Sequence, residues 1–110
     1  MQVNISRIEE IVGNDQDMKK TLLEMFVKSC EKSISAMQKS LDIADATLAK
    51  KEWHDVNHDL KGASLNLGFT DLAALCASVE NSDLNLPEKQ NIIEQYISAK
   101  NQVSEILKSL

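Results

Sequence analysis

Glycine and proline are nearly missing from this chain, three and one among 110 residues, and that scarcity limits the fold more than any other feature. A sheet protein reverses direction every few residues and draws its turns from Gly and Pro, whereas long helices need neither. The apolar periodicity agrees. Met18, Leu22, Met25, Phe26, Cys30, Ile34, Met37 and Leu41 recur at three- and four-residue steps, as the core-facing stripe of a helix does. Trp53, Val56, Leu60, Ala63 and Leu67 draw a second stripe, and Leu72, Leu75, Cys76 and Val79 a third. A fourth holds Ile92, Ile93, Tyr96, Ile97, Val103, Ile106, Leu107 and Leu110, and Ile5, Ile8 and Ile11 or Val12 make a short one at the start. Gly13 is placed to stop the first helix, "NDQD" to cap the second, Gly68 to end the third, Thr70 to cap the fourth and Pro87 to open the fifth. The economical solution is all-α: an antiparallel four-helix bundle with a short additional N-terminal helix. At this length one domain over residues 1–110 is expected.

Composition removes several function classes. The net charge is −5 and the single arginine is Arg7, so no nucleic-acid partner is expected, because phosphate neutralisation needs clustered cations. Cys30 and Cys76 lack a CxxC spacing and fall on apolar stripe positions, which reads as reduced core thiols and predicts no metal or redox role. The opening "MQVNISRIEE" has no signal-peptide pattern, and no apolar run approaches the roughly 18 residues of a membrane span. A cytoplasmic monomer with no membrane partner is the expectation. No Gly-rich nucleotide loop exists among three glycines, which argues against an autonomous kinase.

The stretch "NHDLKGASLNLG", Asn57 to Gly68, carries a glycine inside a helical pattern, where Gly costs about 1 kcal/mol relative to Ala. At 100° per residue His58 lies roughly opposite Leu60 and Leu67, which puts its imidazole in solvent. Lys51, His54, Asp55, His58, Lys61, Gly62 and Leu65 share that outward face, and Phe69 joins them if the helix runs that far. Packing between helices therefore does not explain Gly62. Its missing side chain clears a notch beside His58 through which a partner's backbone can reach the ring. Lys61, three residues after His58, can neutralise negative charge arriving on the imidazole, and Leu65 and Phe69 give the notch an apolar rim. Taken singly, each residue has a bland reading: a solvated His, a charged face, a tolerated Gly, a helix-ending Gly68, and Ser64 and Asn66 bonded to local backbone. Their joint placement points to a nucleophile that meets a protein and carries an anion.

These residues resemble the histidine-containing phosphotransfer (HPt) domains of multistep two-component signalling. The family pattern is His, two residues, Lys-Gly, a small pair, then Gly; "HDLKGASLNLG" supplies His58, Lys61, Gly62, Ala63, Ser64 and Gly68. The similarity extends forward through "DLAALCASVE" to Glu80 and back to "ISRIEEIVGNDQDMKKTLLEMF". The resemblance implies that His58 takes a phosphoryl group from a receiver-domain aspartyl phosphate and passes it to another receiver aspartate, with Lys61 stabilising the charge. It implies response-regulator receiver domains or a hybrid histidine kinase as partners, contacted through His54, Asp55, Gly62, Leu65, Gly68 and Phe69. It also implies no cofactor bound by this chain, with Mg²⁺ on the receiver, and a phosphocarrier in place of a kinase. Its 110 residues with their own Met1 favour a free-standing relay over a piece of a hybrid kinase. Asn57 departs from the Ala common before the family's histidine, and His54 and Asp59 are not family signatures. Two alternatives stand beside this reading: a non-catalytic helical adaptor, and a zinc site on His54 and His58 at i, i+4.

Overall fold

A computed structural model describes all of residues 1–110. Five helices follow in order: α1 Ser6–Val12, α2 Gln16–Ser40, α3 Ala46–Asn66, α4 Thr70–Val79 and α5 Leu86–Lys108. Their ends have identifiable causes. Asp15 accepts a hydrogen bond from the Met18 N–H at the start of α2, and Asp45 accepts from the Leu48 N–H at the start of α3. Such caps satisfy orphan amides at about 1 kcal/mol each. Asn85 and Glu88 form a reciprocal capping box that opens α5 with Pro87 in its first turn. Thr70 does not cap α4: the capping position is Phe69, which has no side-chain bond to offer, and Thr70 is already helical.

Helices of 25, 21 and 23 residues are about 37, 31 and 34 Å long at 1.5 Å per residue, while the whole molecule spans 48 Å. The connections must therefore fold the chain back on itself, giving the expected bundle. α2 packs against both α3 and α5, α4 lies on α3, and α1 covers α2 at one end, burying Ile8 completely. At that end Phe69 meets Phe26 edge to face, 4.6 Å between centroids.

The core differs from the stripes in instructive ways. Leu23 is fully buried, whereas Met18 and Met25 are exposed; the inward line of α2 runs through Leu23, Phe26, Cys30, Ile34 and Met37. On α3 the buried line is Trp53, Asn57, Leu60 and Ser64, so two polar residues stand where Val56 and Ala63 were expected. Both are paired. Asn57 donates to the Trp53 carbonyl at 2.9 Å and accepts from the Tyr96 hydroxyl at 2.6 Å, and Ser64 donates to the Leu60 carbonyl at 2.7 Å. Burial without such partners would cost about 1–3 kcal/mol per group. Cys30 and Cys76 are buried free thiols, and burial pushes Cys30 up to about 12. No helix is long and apolar enough to cross a membrane.

Candidate functional site

The outward face of α3 lies over the seam with α4. His58 is 62% exposed, and no atom comes within 4 Å of where a Cβ on Gly62 would sit, so the notch beside the imidazole is open. Leu65 is exposed and flanks a shallow apolar groove between α3 and α4, lined also by Ala73, Ala74 and Ala77. Asp55 is held by Lys51 at 2.7 Å, and that bond keeps its carboxyl below the ordinary carboxylate range.

α4 contributes a residue that the α3 pattern does not reveal. Glu80, the C-cap of α4, has a side chain only 10% exposed and is gripped from three points of α3. Lys61 Nζ donates to Glu80 Oε1 at 2.9 Å. The His54 ring faces the Glu80 carbonyl, Nδ1 to O 3.2 Å; a carbonyl only accepts, so Nδ1 carries the proton. His58 Nδ1 stands 3.5 Å from Glu80 Oε2, within ion-pair reach and too long for a good hydrogen bond. Oε2 is accordingly the only buried side-chain oxygen or nitrogen in the molecule without a hydrogen-bond partner. The Lys61 hydrogen bond holds the Glu80 carboxyl below its ordinary range, outweighing the opposing effect of desolvation.

Lys61 is therefore not the free flanking cation expected from the sequence. It is a half-buried ammonium already paired with Glu80. His54, a residue expected to contact a partner, is half-buried with its Nδ1 turned onto α4; its ring lies parallel to that of His58, with centroids 6.0 Å apart. Phe69 is a correction. Helix α3 ends at Asn66, the chain turns through Gly68 at φ +75°, and Phe69 is 3% exposed in the core against Phe26. A residue packed there forms no part of the apolar rim. Gly68 is likewise structural in its surroundings: a Cβ added to it would overlap the Arg7 side chain of α1, so the left-handed turn and the close approach both require glycine. Asn57, the departure beside His58, points into the core.

The zinc alternative finds no support in the geometry, since His54 and His58 have no third ligand grouped with them and both turn Nδ1 toward Glu80. What remains is an exposed imidazole whose Nδ1 faces a buried carboxylate and whose Nε2 makes no hydrogen bond within the chain. In the sequence Glu80 stands out only as the residue that closes the α4 stripe and the family resemblance; its link to His58 depends on how α4 docks.

Neither the curated proteins nor the solved structures yielded a match to the chain. The family model described as Hpt domain matches residues 21–109, which takes in α3, α4 and α5 and most of α2. This chain belongs to the Hpt domain family, whose members work in phosphorelays with receiver domains and histidine kinases.

Proposed function

We propose that this protein is a phosphorelay intermediate in which His58 Nε2 is the phosphoacceptor. The observation that carries the reading is the pairing of an open imidazole with a buried, partnerless carboxylate oxygen at its other nitrogen. With Glu80 Oε2 facing Nδ1, the proton of the neutral ring belongs on Nδ1 and the lone pair on Nε2, the arrangement a nucleophile needs. Catalytic hydrogen bonds that are long in the free protein tighten when the partner binds.

The lone pair of Nε2 attacks the phosphorus of a receiver's aspartyl phosphate. An N–P bond forms, the acyl P–O bond breaks, and its electron pair stays on the aspartate as carboxylate. The ring becomes a phosphorylated imidazolium with its proton still on Nδ1, where the Glu80 carboxylate balances the new positive charge. Lys61, three residues after His58 on the same face, adds positive charge beside the phosphoryl group. The reverse step on a second receiver returns the ring to its starting state. The receiver supplies Mg²⁺ and the remaining charge stabilisation, and Gly62, Leu65 and the α3–α4 groove accept its surface. The exchange takes place in the cytoplasm, with His58 as a phosphoprotein intermediate.

His58→Ala tests this. The variant is expected to fold as the parent does and to take no label from a phosphorylated receiver; undiminished labelling would overturn the assignment.

A further inference from the structure

We propose that His54 is a positioning residue for the phosphotransfer site, its Nδ1–H bond to the Glu80 carbonyl holding the end of α4 so that the Glu80 carboxylate stays beneath His58. The proposal rests on the reading of His58 given above.

The last carbonyls of a helix have no intrahelical partner, and α4 has no glycine cap to fold over them: Glu80 itself is in right-handed helical geometry. Two consecutive residues of α3 do that work. Trp53 Nε1 donates to the Val79 carbonyl at 3.0 Å, and His54 Nδ1 to the Glu80 carbonyl at 3.2 Å. Trp53 is 1% exposed and anchors the turn from inside the core. His54 reaches Glu80 itself, the residue whose side chain meets Lys61 and His58.

The spacing gives the arrangement its precision. His54, His58 and Lys61 fall at i, i+4 and i+7 along one edge of α3 and meet, in turn, the carbonyl, Oε2 and Oε1 of one glutamate. Fixing the carbonyl and Oε1 at both ends leaves the carboxylate little freedom, so Oε2 stays opposite His58 Nδ1 although no hydrogen bond of its own retains it. Ser82, in the connection that leads to Asn85, reaches only the carbonyls of Ser78 and Val79, so His54 supplies the hydrogen bond made to the Glu80 carbonyl. A carbonyl needs only a donor, which the Nδ1–H tautomer of His54 supplies.

The test compares His54→Ala, His54→Asn and His54→Gln, since an Asn amide nitrogen can occupy the place of Nδ1 and a Gln amide extends past it. Transfer from a phosphorylated receiver is followed as a function of receiver concentration, and the His58 ring is followed by ¹⁵N NMR without any receiver. His54→Ala and His54→Gln are expected to lose about tenfold in the saturated transfer rate, a loss in line with displacement of a reacting group, with KM little changed. In both, the His58 ring nitrogens should move from the Nδ1–H tautomer toward a mixture. His54→Asn should restore both rate and tautomer. A His54→Ala protein with the parent's rate and ring shifts overturns the proposal. So does a rise in KM alone, which would make His54 a partner contact, and so does an Asn variant no better than Ala. Failure of the parent protein to accept phosphoryl would count against the phosphorelay reading only, because the NMR comparison still decides whether His54 positions the Glu80–His58 pair.

Discussion

The inner face of α3 holds Asn57 and Ser64, both fully buried, with each side chain bonded to a defined partner. One residue along the helix from Asn57, the outer face holds His58, exposed and facing a carboxylate oxygen that has no hydrogen bond at all. The same helix thus treats its polar groups in two ways. Inside, where a missing partner is costly, every bond is made and the side chains are locked. At the seam with α4 one bond is left unfinished, and the group that could complete it is the imidazole whose charge changes during the proposed reaction. Satisfied polar groups fix the bundle; the unsatisfied one lies where the proposed transfer takes place.

If that contrast holds, outer-face changes should alter transfer and spare stability. After loss of His58 itself, Gly62→Leu should change transfer most. A Cβ added there meets nothing within 4 Å, and relief of the glycine penalty should raise stability by about 0.5–1 kcal/mol. Blocking the notch should slow transfer on the order of a hundredfold. Thermal unfolding and a transfer assay on the same variant check both halves; a normal rate breaks the notch argument.

Inner-face changes should do the reverse. Tyr96→Phe leaves Asn57 Oδ1 without a donor in the core, and denaturant unfolding should show a loss of about 1–3 kcal/mol. Combining it with Asn57→Ala should cost less than the sum of the two single changes, while transfer per folded molecule stays at the parent's rate. Additive losses would mean that the pair is not coupled as its 2.6 Å bond implies.

The smallest effect sharpens the electrostatic side. Lys61 holds Glu80 below the ordinary value of 4.5, so the contribution of the ionised pair is fully present above that value. It is lost only as pH falls through the lower folded value. A carboxyl ¹³C titration should place the Glu80 midpoint below 4.5, and Lys61→Met should move it upward. A midpoint unmoved by Lys61→Met would show that the hydrogen bond is not its cause.

Much of this architecture was legible because its signals are local. Gly13, Asp15, Gly68 and Pro87 mark helix ends through backbone geometry and capping, which a sequence displays directly. The outward set from Lys51 to Leu65 was legible for the same reason, since one unbroken helix fixes their phase. Phe69 was misplaced because that phase was carried past the turn at Gly68, where the chain changes direction. Asn57 and Ser64 were missed as core because a polar residue reads as exposed until its partner is known, and Tyr96 lies 39 positions away. Met18 and Met25 were read inward because a stripe on a long helix is wider than the seam it buries. Glu80 was the largest omission in the site: its role is created by the docking of α4 on α3, which no periodicity encodes.

The proposed relay requires a covalent phosphate on one ring nitrogen, and it is located by finding where phosphate lies after the parent protein meets a phosphorylated receiver with Mg²⁺. Peptide mapping and ³¹P NMR should find a single acid-labile, base-stable phosphate on His58 at Nε2. Phosphate on another residue, an acid-stable adduct, or no phosphate on a protein that still binds the receiver would contradict the account.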